Sequence, residues 1–347
     1  MLVFACETSC DETSLCLMKN NEIVEHIIFS QEIHRKYGGV VPELASRSHL
    51  EKLQEMTNIL FKKPNIKPDE IDIFCATCGP GLIGSLLVGS TFTKALSISF
   101  KKPFVPINHL EGHILSTSFN NKILYPHLVL LLTGGHTQIY LMKSSKEVKI
   151  LGTSVDDALG EAFDKTAKLL GIEFPGGPQI EILARKGDPD KFKLPLPIIN
   201  KGGCNLSFAG LKTAVLKIAK NINNDDDKYD LAASFQQTIE KIIYKKSKVA
   251  IEQYKKMVGT KNSKFVIAGG VAANKNIRKM LINLCKEEKF DAIFPPTEFC
   301  GDNASMIAIA GLEKFKLKQF NNLDFPAQPR WVLDDKAPFL KGAGIKI

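Results

Sequence analysis

Apolar and polar positions along this chain follow two periods, and the switching between them predicts an α/β protein. Leu2–Cys6, Leu15–Met18 and Ile23–Phe29 have the short apolar or alternating pattern of strands, the first two joined as a hairpin. Pro42–Leu60 carries apolar residues at helical spacing behind a proline. Ile71–Ala76 reads as a buried strand, and Gly79-Pro80-Gly81 opens a long apolar helix to about Phe100. Phe104–Ile107 is a further strand that leads into a helix starting near Asn108. At Leu128–Leu132 the pattern begins again: strand, polar turn Thr133–His136, strand Thr137–Met142, charged turn, strand Val148–Gly152. Helical patterns dominate from Val155 to Met257. Phe265–Ala268 is a strand ending in Gly269-Gly270, Asn274–Cys285 a helix, Asp291–Phe294 a strand and Asp302–Phe315 a final helix.

The restart is a repeat of architecture, and 347 residues leave room for two cores. Two lobes, each opening on a hairpin, suit a nucleotide cleft between lobes, with the hairpin loops turned to the phosphates. The expected division is 1–120 for the first lobe, with a C-terminal helix in 302–325 as the candidate to return to it. The second lobe is 126–300 with a helical insertion, and Ser116–Tyr125 is the best boundary.

Composition excludes some classes. Hydrophobic residues make up 44%, and no apolar run reaches the ~18 residues of a membrane span. The first residues, Met1-Leu2-Val3-Phe4-Ala5-Cys6-Glu7, lack the basic start of a leader. Eight scattered cysteines suit a reducing, cytoplasmic setting rather than a disulfide framework. Cys75 and Cys78 lie in a strand, where positions three apart face opposite sides, so both read as small core residues. A formal net charge of +9 suits a polyanionic partner, although lysines in such numbers also serve solubility.

Candidate chemistry gathers in a few places. His109 and His113 stand four apart on one helical face, the spacing that offers a divalent metal two ligands; two exposed helical histidines have the same spacing. Asn108 is the candidate N-cap, and Glu111, three on, suits a capping box or support of the ligands. It is one residue too late for the metalloprotease pattern. Asp302 at a later helix start is either an N-cap or the third ligand. The loop Glu7–Thr13 offers hydroxyls and N–H groups to phosphate, and Asp11 to a metal or water. Gly134-Gly135 and Gly269-Gly270, taken to come from different lobes, let a ligand approach the backbone. His136 has the chemistry to polarise or protonate, Asn274 to read a ribose or base, or simply to start a helix. Asp157, Glu161, Asp164 and Lys168 form one helical stripe. Pro175-Gly176-Gly177-Pro178 specifies a tight turn that brings amides and Glu181 near a ligand. Lys241–Lys264 holds eight lysines, which meet either solvent or an RNA backbone.

Taken together these residues resemble the tRNA N6-adenosine threonylcarbamoyltransferase family, from about Val3 to Trp331. The shared stretches are Glu7–Thr13, Gly38–Arg47, Gly79–Gly81, Asn108–His113, Gly134–Gln138, Gly160–Lys165, Pro175–Pro178, Gly269–Val271 and Asp302-Asn303. The resemblance implies an actin/hexokinase-like (ribonuclease H-like) fold and transfer of threonylcarbamoyl from threonylcarbamoyl-adenylate to N6 of adenosine 37 in tRNAs reading ANN codons. It implies a divalent metal, iron or zinc, on His109, His113 and Asp302. Leu132, Thr133, Gly134, Gly135, His136, Asp164, Gly177, Glu181 and Asn274 would line the site for the adenylate or ATP, with Asp11 and His136 as catalytic candidates. Its partners would be tRNA, a paralogous dimerisation partner and an ATPase; no membrane or DNA is expected. The chain departs from the family pattern at Thr133, where serine is usual, at Asn205-Leu206-Ser207-Phe208, and in Leu194–Pro197, which lacks an arginine. Two other classes share the fold: a small-molecule kinase, which needs no histidine pair, and a non-catalytic partner subunit, which would lack the three metal ligands that this chain has.

Overall fold

The computed structural model describes residues 1–119, 123–260, 263–320 and 323–337. Their contacts divide the chain into two compact units, Met1–Asn121 with Glu298–Leu333, and Lys122–Thr297 with Asp334–Ile347. Residues 120–122 of the expected boundary, 321–322 of the stretch 302–325, and Lys261 of the lysine run lie outside the described residues.

The first unit runs through β1 (Leu2–Glu7), β2 (Glu12–Lys19), β3 (Glu22–Ser30), α1 (Pro42–Lys62), β4 (Ile73–Gly79), α2 (Ile83–Ser99), β5 (Phe104–Asn108) and α3 (His109–Leu115). Its sheet has the order β3-β2-β1-β4-β5. The β1–β2 and β2–β3 pairs are antiparallel, and β4 and β5 join in parallel. Every residue of β1 is buried because both faces of the sheet are covered. Phe4 and Cys6 pack with Leu53, Met56 and Leu60, which are spaced three and four apart on α1. Val3 and Ala5 face the other way. Cys75 lies on the Val3 side and Cys78 on the Phe4 side, the opposite facing that the strand period requires.

The second unit runs through β6 (His127–Leu132), β7 (Thr137–Met142), β8 (Val148–Thr153), α4 (Leu159–Leu169), α5 (Gly177–Ala184), α6 (Ala209–Ala219), α7 (Asp225–Val258), β9 (Lys264–Ala268), α8 (Lys275–Glu288) and β10 (Asp291–Ile293). Its sheet, β10-β9-β6-β7-β8, repeats the first when read from the far edge: a hairpin, a third antiparallel strand, then two parallel strands on the other side. The restart at Leu128 is therefore a repeat of topology. The helical reading of Val155–Met257 merged separate elements. Residues 185–208 hold no helix, and Pro189, Pro195 and Pro197 there remove the N–H groups that a helix needs.

The last helix, α9 (Ala304–Lys316), ends short of residue 325 and returns to the first sheet, where Ala304, Ile307, Ala308 and Leu312 share a core with Val3, Ala5 and Ile107. Its cap is Asn303, whose Oδ1 accepts the Met306 N–H at 3.1 Å, so the N-cap reading of Asp302 does not hold. Ser14 Oγ accepts the Ala304 N–H at 2.9 Å. Helix α9 lies close on β4 because Gly311 has no side chain; a Cβ there would stand 2.2 Å from Cys75 Sγ and 3.0 Å from its Cβ. Among the described residues no helix is long and apolar enough to cross a membrane.

Gly311→Ala is expected to cost about 1–3 kcal/mol through overpacking, with Gly311→Val costing more. Urea unfolding of both variants measures it; a midpoint unchanged in both would mean that α9 shifts freely on the sheet.

Candidate functional site

Strand β5 delivers the chain to Asn108, whose Oδ1 accepts the N–H groups of Leu110 at 2.9 Å and Glu111 at 3.4 Å. That cap starts α3 and fixes where both histidines point. Their rings lie 4.7 Å apart, nearly perpendicular at 85°. The chain just before α9 brings Asp302 to them: its Oδ1 is 3.0 Å from His113 Nε2 and 3.5 Å from His109 Nε2. One ligand atom from each of the three falls within 4.8 Å of the others. His113 is fully buried and His109 nearly so, which excludes two exposed histidines. Gly112 lies between them, where a Cβ would press on Ile307 at 3.0 Å, so its absence lets α3 approach α9. Glu111 forms no capping box; it pairs with Lys314 of α9 at 2.8 Å and ties the two helices together.

Two residues that the sequence reading did not place at the site lie behind His109. Glu7 Oε2 is 3.2 Å and Ser9 Oγ 3.1 Å from its Nδ1. Glu7 ends an apolar buried strand, and a charged residue in that position is the signal that could have marked it. Burial raises a carboxyl, yet His109 beside it holds Glu7 below its ordinary range. At Asp302 burial is likewise opposed, first by the charge of His109 and then by hydrogen bonds from both imidazoles, and the carboxyl is held well below the usual range. Burial lowers an imidazole, but Asp302 and Glu7 together hold His109 well above its ordinary value. At His113 burial prevails and the ring is pushed down. Within the cluster the carboxylates of Glu7 and Asp302 are thus balanced by the charge of His109.

The loop Glu7–Thr13 spends its hydroxyls on the protein rather than offering them outward. Thr8 donates to Ser85 O at 2.9 Å, and Thr13 Oγ1 meets His49 Nδ1 at 2.7 Å. Asp11 stays on the half-exposed part of this loop. Glu12, a further acid not singled out by the sequence, is pushed well above its ordinary range by burial, then by Asp11 and Asp302.

The other candidates belong to the second unit. The turn after Leu132 is closed by Thr133, whose N–H donates to His136 O at 2.8 Å and whose Oγ1 accepts the His136 N–H at 2.9 Å. Gly134 and Gly135 are exposed at its tip, with nothing within 4 Å of a built Cβ. Gly160 presses on this turn from α4, where a Cβ would stand 2.8 Å from Gly134 Cα. Gly269, at φ +96°, lies against Leu132 O, where a Cβ would come within 2.4 Å. The two Gly-Gly turns therefore touch within one unit, and their assignment to different lobes is corrected. The added methyl of Thr133 is directed at Gly269. Asp164 Oδ1 accepts the Gly176 N–H at 2.8 Å and so holds the turn before Gly177. The expected stripe is not a single helical face: Asp157 lies before α4, and it and Glu161 both pair with Lys165 at 2.7 Å. Glu181 Oε1 accepts the Lys275 N–H at 3.1 Å, and Asn274 caps α8 through the Ile277 N–H at 3.0 Å while bonding Gln236. Glu181 and Asn274 thus meet at the start of α8, while Gly177 begins α5, and the helix-start role of Asn274 is realised.

The lysine run is not one solvated face. Lys246 is buried in α7, its Nζ donating to Lys201 O at 2.8 Å and Gly203 O at 3.3 Å. Lys255 and Lys248 turn to Glu288, at 2.6 and 3.6 Å. Lys245 stays on the open side, beside a groove of about 500 Å³.

Lys246→Glu is expected to destabilise the protein by more than about 3 kcal/mol, since it sets a carboxylate against two carbonyls, whereas Lys245→Glu stays within about 0.5 kcal/mol as a surface change. Thermal unfolding compares them, and equal stability would remove Lys246 from the core. Gly135→Ala, with open space around it, is expected to leave the unfolding midpoint unchanged and, if the turn holds the adenylate that the resemblance implies, to weaken adenylate binding in calorimetry. Unchanged adenylate affinity would remove the turn from the ligand site.

A family model described as TsaD, tRNA N6-adenosine threonylcarbamoyltransferase, matches residues 22–309. The tRNA N6-adenosine threonylcarbamoyltransferase of Pelagibacter ubique (strain HTCC1062) is 59% identical, covering 100% of this chain and 99% of that protein. That of Rickettsia rickettsii (strain Sheila Smith) is 48% identical over 96% of this chain and 98% of its own. Among solved structures, the Acidaminococcus fermentans (R)-2-hydroxyglutaryl-CoA dehydratase component A covers 90% of this chain and 98% of its own at 14% identity, with a TM-score of 0.52. HypF of T. kodakarensis covers 91% of this chain and 47% of its own, also at 14%, with a TM-score of 0.60. These distant likenesses show the actin/hexokinase-like α/β fold and nothing more.

Proposed function

Since this chain belongs to the tRNA N6-adenosine threonylcarbamoyltransferase family, we propose that it transfers threonylcarbamoyl from threonylcarbamoyl-adenylate to N6 of adenosine 37 in tRNAs reading ANN codons. The observation that carries this reading is the convergence of the buried His109 and His113 with the half-buried Asp302, in a chain aligned along its whole length with a relative of that name. The kinase and scaffold alternatives have no observation in their favour.

In the reaction, the adenine N6 lone pair forms a C–N bond to the carbamoyl carbon of a mixed anhydride. The C–O bond to phosphate breaks, AMP leaves with the electron pair, and the amine loses one proton. The amine is a poor nucleophile, so placement and charge stabilisation supply most of the rate. The donor set fits a divalent ion: two buried imidazoles and a carboxylate converge on one point, and iron or zinc suits those ligands. Bound there, the ion would supply Lewis-acid stabilisation of oxygen charge. The exposed amides of Gly134 and Gly135 would hold phosphate. Leu132, Thr133 and Gly269 shape that turn, and Asp164 fixes the turn at Gly176, whose neighbour Gly177 would add to the ligand site. Glu181 and Asn274 would face the ribose at the start of α8, and His136 and Asp11 would handle the proton and the departing charge. The same family membership underlies three further proposals: tRNA as acceptor, action together with a paralogous dimer partner and an ATPase, and work in the cytoplasm.

Incubation with unmodified tRNA and threonylcarbamoyl-adenylate, with the proposed partners added, is expected to yield threonylcarbamoyl-adenosine by nucleoside mass spectrometry. His113→Ala should abolish the bound metal and cut transfer by about two orders of magnitude or more while the protein stays folded. Full metal content and full transfer in that variant would remove the trio from the mechanism, and no product from the unaltered protein would sink the proposed reaction.

A further inference from the structure

Glu7 has a burial that the reaction as described does not use. It is fully buried at the end of β1, where an unbonded carboxylate costs several kcal/mol. Each of its oxygens is committed. Oε1 accepts the Ser9 N–H at 2.6 Å, and Oε2 accepts the Thr77 hydroxyl and faces His109 Nδ1 at 3.2 Å. Ser9, Thr77 and Glu7 stand at neighbouring ends of β1 and β4, a rigid mount.

We infer that Glu7 is a positioning residue for the metal: it fixes the proton of His109 on Nδ1 and so presents Nε2, as a lone pair, to the ion that His113 and Asp302 share. The inference rests on the reading of that trio as a metal site. A carboxylate has no proton to give, so the Glu7–His109 bond exists only with the proton on Nδ1. In the metal-bound state Nε2 is then the one nitrogen left to coordinate, and it is the nitrogen nearer Asp302, at 3.5 Å. Without that bond the ring is free to hold its proton on Nε2, where it blocks the ion. The arrangement also accounts for Thr77, a buried polar residue in an otherwise apolar strand, which holds the carboxylate rather than any ligand.

Glu7→Gln keeps the volume but cannot satisfy all three donors. With its oxygen at the Oε2 position, the amide nitrogen faces the Ser9 N–H, donor to donor. Turned over, it donates to His109 Nδ1 and drives the proton to Nε2. The test titrates Co²⁺ and Zn²⁺, with a chromophoric chelator as competitor, into the metal-free full-length wild type, Glu7→Gln and Thr77→Val. Glu7→Gln is expected to raise the metal Kd about 10–100-fold and to change the Co²⁺ absorption spectrum, with Thr77→Val shifted in the same direction by less. A Glu7→Gln protein with wild-type Kd and spectrum overturns the inference while leaving the metal site standing. A wild type that takes up no metal, or a His113→Ala variant that keeps it, overturns the metal reading itself and the inference with it. If Glu7→Gln does not fold, long-range ¹H–¹⁵N spectra of the Zn²⁺-loaded wild type read the tautomer directly. A His109 ring protonated on Nδ1 supports the assignment; one protonated on Nε2 refutes it.

Discussion

Helix α9 lies flat on β1 and β4, and the candidate metal site depends on that contact. The helix can approach because its inner face is built of Ala304, Ala308 and Gly311 beside small strand residues, Ala5 and Cys75. Once it is seated, Asn303 caps it and Asp302, one residue earlier, is held at the histidines. Gly112 and the Glu111–Lys314 pair dock α3 on the same helix from the other side. The ligand geometry is therefore a by-product of core packing. A half-buried carboxylate beside two buried imidazoles is tolerated because the charge of His109 and hydrogen bonds from both rings compensate it.

The second unit solves a different problem with similar means. Its candidate ligand groups are mostly backbone, and backbone is positioned by what leaves it uncovered. Gly160 and Gly269 press against the turn after β6, while the side-chain positions of Gly134 and Gly135 at its tip face open space. The carboxylates near them act first on the protein: Asp164 holds one turn and Glu181 holds the start of α8. A side chain already committed to a backbone N–H is preorganised, and that fixes the shape of the surface before any ligand arrives.

Much of this was legible in the sequence wherever one period dominated. The strand at Thr137–Met142 has the expected bounds, Asn108 caps its helix, and the restart at Leu128 is a true repeat of sheet order. The reading was weaker where function depends on what lies across from a residue. Lys246 looks like its neighbours in sequence, yet its side of α7 meets the carbonyls of Lys201 and Gly203. Glu111 sits at capping distance but finds Lys314, some 200 residues later. The Gly-Gly turns lie far apart in the chain and side by side in one sheet, because β6 and β9 are parallel neighbours. Periodicity carries the element; it does not carry the partner.

The first unit closes only when residues from Glu298 onward return to it, after Lys122–Thr297 of the second unit has been made. During synthesis, the face of Val3, Ala5, Cys75 and Ile107 has no helix to cover it until Ala304–Lys316 leaves the ribosome. Such an apolar face is prone to association with other chains. The nascent protein thus has a long interval in which one face of its first sheet lacks its cover, and only two of the three candidate metal ligands have been made. Assembly of the candidate trio and completion of the core become possible in the same late moment, so a chain truncated before Asp302 loses both together.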